Sequence, residues 1–413
     1  KAFAYGYLGG GLLLVVHLGL VMGVSGEWVV PFCMATSGIW WFGFSLWTFA
    51  TITEPEIENP VEGLTLVTSA KLAVKELKAT ISEWRSFKTL FFYMAAYFFF
   101  IDGINSVTAL AGAFGIAVLG LSMTDLILTI VAIQFVAFPA AFFFTWLAGK
   151  TSTKKALIVA LVGWCVVIVG ALSFAPLELD DPEEYDFHFV TVEGSNNYTV
   201  TLLHEDPFGD SSSDQALESQ WAHLLAGGNV SWSEASTLVD GLEDTRFSAY
   251  LGYDPQGDSA EVMMIGVDHP TSLGDGKLDF IPSAARDLIW EPLGLSVMLQ
   301  FVLLGCMAGL LLGGSQGLAR SLFGQMVPET RSTEFFGFFG FFGKVAALIG
   351  PFLYALMSTL YDSRVAVASL SILIIIGTVL MVFVDVQDGI DVANEEDRRS
   401  RGELEPGEDS IQS

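Results

Sequence analysis

Basic charge is scarce in this chain: 19 lysines and arginines among 413 residues, against 46 aspartates and glutamates, for a formal net charge of −27. So acidic a chain has no basic face for a phosphate backbone, and no nucleic-acid partner is expected. Cysteine is scarcer still. Cys33, Cys165 and Cys306 each fall inside a long apolar run, which excludes a disulfide framework and a cysteine-based metal cluster. The signatures "GxxxxGK[ST]" and "HExxH" are absent, so ATP-driven work and zinc hydrolysis are not expected, and no cofactor is called for. A "DxDxDG" run closed by a glutamate is missing as well, which leaves little basis for calcium binding.

What the chain has in quantity is apolar sequence. Hydrophobic residues make up 52%, phenylalanine alone contributes 33, and mean hydropathy is +0.54. The apolar residues fall in eight blocks, at 5–25, 29–51, 90–117, 125–149, 155–175, 293–317, 335–358 and 364–385. Each is long enough for a helix to cross a hydrocarbon core of about 30 Å, which takes roughly 20 residues. Strict two-residue alternation is absent, which excludes a barrel of short strands. The expected fold is an all-α polytopic membrane protein with eight spans.

The negative charge is localised. Residues 176–291 hold 24 acids and three bases, and 385–413 hold ten acids and three arginines, so the rest is near neutral. Acidic tracts of this kind are solvated surfaces, and with so few lysines they suit a protein kept soluble in high salt, as in a halophile. The basic stretches "KLAVKELKATISEWRSFK" (71–88), "KTSTKK" (150–155) and "RSLFGQMVPETR" (320–331) all fall on one side if all eight spans are real. By the positive-inside rule that side is cytoplasmic. A cell-membrane protein results, with 176–291 extracellular and the C-terminus inside.

This gives a division into 1–52 (two spans), 53–89 (a cytoplasmic loop with an amphipathic helix on the membrane surface), 90–175 (three spans), 176–291 (the acidic insert), 292–385 (three spans) and 386–413 (an acidic, disordered tail). "FHFVTV" (187–192), "YTVTLL" (198–203) and "AEVMMIGV" (260–267) read as strands, with a helix in "SDQALESQWAHLLAGG" between them. The insert is therefore expected to be a small α+β domain. Asn197-Tyr-Thr and Asn229-Val-Ser match the glycosylation sequon, which suits an outer location. The chain opens at Lys1, without an initiator methionine, and its first apolar run follows almost at once, so its N-terminus is expected to lie upstream.

Ionisable residues inside spans are the informative exceptions, since an Asp or Lys at a helix centre costs about 2.5–3.5 kcal/mol to insert. From Phe91 to Leu121 the only formal charge is Asp102, with Asn105 three residues on and on the same helical face. Lys344 lies in the seventh span, in "EFFGFFGFFGKVAALIGPFLYAL". An intrabundle Asp102–Lys344 pair would let substrate or a proton exchange with one partner; a static pair would only orient two helices. His17 is read as a packed or hydrogen-bonded histidine, and Gln134, Gln300 and Gln316 as amides bonding across helices. Arg320 and Glu334 bracket the loop before span seven, as a gate or a surface pair. Glycines every three or four residues in 6–14, 305–317 and 335–344 give faces for close packing or sliding, and Pro139 and Pro351 can kink their spans.

"YFFFIDGINSVTALAGAFG", followed by "RSLFGQMVPETRSTEFFGFFGFFGKVAALIGPFLYAL", resembles the vacuole-effluxer-like family of the major facilitator superfamily. "FAYGYLGGGLLLVVHL" and "WWFGFSLWTF" are similar to its fifth and sixth helices. The resemblance covers nearly all of the chain outside 176–291 and the tail. It implies that the eight spans are helices five to twelve of twelve, with 71–88 as the central cytoplasmic loop. Two departures stand out: the first four helices are missing, and the insert between helices nine and ten is atypical. The resemblance further implies a secondary transporter that rocks around a midplane site, with amino acids as a substrate class because yeast members are linked to their export from the vacuole. Asp102, Asn105 and Lys344 would line the pathway, with proton coupling through Asp102 as a hypothesis. The partners are then a small-molecule substrate and the lipid bilayer. A second reading is a membrane-anchored receptor or scaffold whose acidic domain binds a ligand.

Overall fold

The computed structural model describes residues 2–24, 26, 28–52, 65, 68, 72, 75, 78, 81–82, 84–179, 181–192, 194–204, 207–209, 212–252, 261–273 and 276–403. Most of the 53–83 loop, including much of the proposed amphipathic helix, lies outside these. Its described residues Leu72, Lys75, Lys78 and Ile81 are helical.

In chain order the helices of nine or more residues are α1 (Ala2–Gly23), α2 (Val29–Thr51), α3 (Lys88–Leu119), α4 (Met123–Lys150) and α5 (Thr153–Leu172). Next come α6 (Ser212–Leu225) and α7 (Trp232–Asp240), then α8 (Val297–Gln325), α9 (Ser332–Ala346), α10 (Ile349–Leu360), α11 (Ser363–Phe383) and α12 (Val386–Ser400). Among the described residues eight helical segments are long and apolar enough to cross a membrane, the seventh running from Glu329 to Leu360 through the α9–α10 break. The chain divides into two compact units, one of residues 1–115, 121–172 and 301–413, the other of 116–120 and 173–300.

In the first unit the helices pack on small residues. A Cβ added at Gly305 would lie 2.8 Å from Thr129, and one at Gly309 would lie 2.8 Å from the Ile133 carbonyl, so the glycines of α8 let its backbone approach α4 closely. On α9 the repeated Phe-Phe-Gly serves packing differently. Phe335 meets Phe87 at 5.1 Å between ring centroids, Phe338 meets Phe91 at 5.5 Å, and Phe339 stacks on Tyr97 at 4.1 Å and on Phe323 at 4.5 Å. These ring pairs seat α9 against α3 and α8, whereas Gly337 and Gly340 face open space.

The C-terminal segment corrects one expectation: the tail predicted to be disordered is helical from Val386 to Ser400. Its charge does not prevent folding because the helix is capped and paired. Asp385 accepts hydrogen bonds from the Gln387 and Asp388 N–H groups, and Arg399 reaches Glu395 four residues back at 3.5 Å. Gly389, Ala393 and Asp397, at four-residue intervals, are buried. Residues 404–413 lie outside the described set.

The second unit holds a five-stranded sheet, formed by β1 (Phe187–Thr191), β2 (Asn197–Leu202), β3 (Val230–Ser231), β4 (Ser248–Leu251) and β5 (Val262–Ile265), in the order β3-β2-β1-β4-β5. Only β1 and β4 run parallel. Alternation along β1 turns Phe187 and Phe189 inward, onto Trp221 and Leu217 of α6, Val239 of α7, and Phe247. The ends of the insert are tied together. The Gln300 amide donates to the Ala175 carbonyl (2.8 Å) and accepts from the Ala175 N–H (3.2 Å), while Trp290 Nε1 donates to the Ser173 carbonyl (2.7 Å). The glutamine expected to bond across helices thus closes the root of the insert.

Candidate functional site

The local sequence around Pro351 creates the site. Proline has no N–H, and its ring clashes with the carbonyl four residues earlier, that of Ala347. The seventh span stops at Ala346 and restarts at Ile349, which leaves amides in the first turn of α10 without helical partners. One finds a partner on another helix: the Gly350 N–H donates to Asp102 Oδ1 at 3.1 Å. The carboxylate is fully buried, and its negative charge lies at the positive end of the half-helix. Ser106, one turn further along α3, donates weakly to the same oxygen at 3.4 Å. Oδ2 is buried with no hydrogen-bond partner. A buried bare oxygen on a charged group costs more than the about 1–3 kcal/mol of a neutral one, a cost that a donor brought next to it would relieve.

Close packing holds the carboxylate there. A Cβ added at Gly103 would meet Ile374 at 2.5 Å, and one at Gly377 would lie 2.5 Å from the Phe100 amide nitrogen, so α3 and α11 are in backbone-level contact on either side of Asp102. A Cβ at Gly350 would overlap the Ser106 hydroxyl.

The predicted residues fare unequally. Asp102 is at the break. Asn105, half-buried on the same helix, makes no side-chain hydrogen bond to it; the neighbouring polar group is that of Ser106. The expected Asp102–Lys344 ion pair is not formed. Lys344 is exposed in the last turn of α9, where its charge suits the helix C-terminus, while the carboxylate reaches past the break to Gly350. His17 is buried and hydrogen-bonds Thr36 of α2 at 2.9 Å. Arg320 is exposed, with its guanidinium 5.4 Å from the Phe336 ring. Glu334 binds Arg331 in a fork, at 2.9 and 2.8 Å.

Ser106 and Gly350 escaped the sequence reading. The first could have been found at the four-residue spacing from Asp102, and the second by asking which amide Pro351 frees. The run "GGSQG" (313–317) fits the GxSxG spacing of serine hydrolases, but it lies inside α8 with Ser315 buried and accepting from Trp164 Nε1 at 3.4 Å. It is not the strand-to-helix turn that exposes a nucleophile.

Eight apolar helical segments among the described residues, one of them broken at a buried carboxylate, with a sheet domain inserted between the fifth and sixth, define a polytopic helical membrane protein with a major facilitator-type bundle. Within that class the family described as "Vacuole effluxer Atg22 like" matches residues 1–177 and 280–394, and the chain belongs to it. The unmatched stretch between these segments is the body of the insert.

The chain is similar over 400 residues, at 21% identity, to the uncharacterized MFS-type transporter YxiO of Bacillus subtilis, covering 96% of this chain and 65% of that protein. Over 115 residues it is 32% identical to autophagy-related protein 22-1 of Penicillium rubens, and 33% identical to the protein of that name from Neosartorya fischeri. Those stretches cover 28% of this chain and 19% and 18% of the fungal proteins, so the chain spans about two thirds of one relative and matches less than a fifth of the others. No solved structure matches.

Proposed function

We propose that the protein is a secondary active transporter that moves a small solute across the membrane by alternating access, with Asp102 as the proton-exchanging group. The observation that carries this is the buried carboxylate with one free oxygen, seated on the first turn of a half-helix in the membrane. Discontinuous helices serve this purpose in transporters because their exposed half-helix ends bind ions and polar substrate groups without lipid contact. The similarity to an MFS-type transporter and membership of an effluxer family support the same class, and favour it over an enzyme. Amino acids are the first substrate class to try, on the family resemblance.

The three basic loops favour a cytoplasmic side for residues 71–88, 150–155 and 320–331, with the acidic insert outside and suited to high salt. Counterflow in liposomes tests the reading. Vesicles preloaded with unlabelled amino acids, sugars or organic anions should take up the labelled solute of one class, and Asp102→Asn should lower that rate about tenfold or more, equivalent to ~1.4 kcal/mol. A variant that transports normally, with unchanged pH dependence, removes Asp102 from the coupling.

A further inference from the structure

We propose that α12 is a detachable strap that bridges the start of α3 to the start of α9 and restrains opening at the α9–α10 break, thereby regulating the site around Asp102. The inference rests on that break being the transport site.

The helix α9 has no side-chain cap of its own. Its approach is the short turn Glu329–Arg331, and the amides there are satisfied from α12 instead. Asp397 accepts from the Glu329 N–H (2.9 Å), the Thr330 N–H (3.0 Å) and the Thr330 hydroxyl (2.7 Å). Arg401, just past α12, pairs with Glu329 at 2.9 Å, and Glu396 lies 3.9 Å from Arg331. At the other end of α12, Asp388 accepts from the Thr89 hydroxyl in the first turn of α3, and Gly389 packs on the buried Met326 that closes α8. The strap therefore grips α3 at Thr89 and the approach to α9 at Glu329 and Thr330. Further along, α3 carries Asp102, and α9 leads through the break to Gly350, where the two meet again. If they separate at the break, one grip must yield or the strap must move with them.

The strap is suited to release. At 15 residues it is near the length below which an isolated helix is marginal in water, and its sequence is strongly acidic. Its helical state thus depends on the contacts named. Proton binding is not the trigger. Burial alone would raise the carboxyl pKa of Asp397. The hydrogen bonds from Thr330 and Glu329 and the charge of Arg401 outweigh it and hold the pKa below the ordinary aspartate value. Glu329, Arg331, Glu334, Glu396 and Arg399 also face this end, and Asp397 itself stays ionised through the neutral range.

Hydrogen exchange on the reconstituted full chain, with counterflow measured in parallel, tests the strap. A cap that serves only local structure changes exchange at 329–332. A strap also changes it at 346–354, the segment spanning the break. Asp397→Ala and, at the opposite end, Asp388→Ala should each raise exchange at 346–354 about fivefold or more, the lower end of coupling between distant sites. In a background lacking Cys33, Cys165 and Cys306, the Thr89→Cys/Asp388→Cys pair, once oxidised, should suppress both exchange at the break and counterflow until reduced. Unchanged exchange at 346–354 in both alanine variants and in the cross-linked protein overturns the strap, and continuing counterflow would then leave the transport reading standing. Exchange that follows the strap, in a wild type that counterflows no solute, leaves α12 coupled to the break but removes the transport reading and, with it, the regulatory role.

Discussion

An aspartate among thirty-one otherwise uncharged residues persists because a proline on another helix leaves it an amide to bind. Pro351 interrupts the seventh span, Gly350 is left with a free N–H, and Asp102 accepts it. Glycine is required at 350 for space, since a side chain there would overlap Ser106 and come within 3.1 Å of Asp102 Oδ1. Gly350→Ala should destabilise the folded protein by about 1–3 kcal/mol, the usual cost of overpacking. Gly340→Ala, where the added methyl meets nothing within 4 Å, should stay within about 0.5 kcal/mol. Thermal unfolding of both in the same detergent checks the contrast. Equal losses would mean that Gly350 is not held against Ser106. Asp102 was legible in the sequence because charge in an apolar run is conspicuous. Its partner was not, because a backbone N–H has no signature in side-chain chemistry, and a lysine in the same span offered a more obvious but incorrect one.

At the scale of elements, long apolar runs made the spans readable, and composition misled at the C-terminus. The acids of α12 hid the four-residue spacing of Gly389, Ala393 and Asp397 that seats it. In the insert, β1 and β2 carry alternating apolar residues and β5 is a continuous apolar run, Val-Met-Met-Ile, whereas β3 has only two residues and β4, Ser-Ala-Tyr-Leu, shows no period. The parallel pairing of β1 with β4 is steadied at one end by Asp186, which accepts from the Ser248 N–H (2.8 Å) and hydroxyl (3.0 Å) and lies 3.4 Å from His269 Nε2. Burial pushes this carboxyl up, but the bonds from His269 and Ser248 more than offset it and hold its pKa below the ordinary value. A lowered folded value means that its contribution is complete above the unfolded aspartate pKa of about 3.9 and is lost as pH falls through the folded one. Amide protection factors in β1 and β4 of the full chain should therefore fall as the pH drops below about 4 and Asp186 takes up a proton. In Asp186→Ala they should be reduced by about 1–3 kcal/mol of opening free energy above about pH 5, and the difference from the wild type should shrink in acid. Protection that survives acid in the wild type would show that the pair does not hold β1 to β4.

The whole molecule joins a membrane bundle to a sheet domain through a root whose two ends are hydrogen-bonded. The Gln300 amide exchanges two hydrogen bonds with Ala175, so the chain can leave and re-enter the bundle over a short gap, and the family match resumes at residue 280, before that root. The insert is therefore separable by topology, since closing a short loop in its place costs little chain entropy. Replacing 178–279 with a short glycine-serine linker keeps both the Gln300–Ala175 bonds and the Trp290–Ser173 bond. Replacing 176–291 removes Trp290. The first variant should insert, remain monodisperse in detergent and retain counterflow, while the second should unfold at lower temperature because one tie at the root is gone. A receptor whose ligand sits on the acidic domain would instead lose all binding in both variants, with no solute flux to lose. Retention of flux in the shorter deletion would assign the sheet domain to a surface role and leave transport to the helices around Asp102 and Gly350.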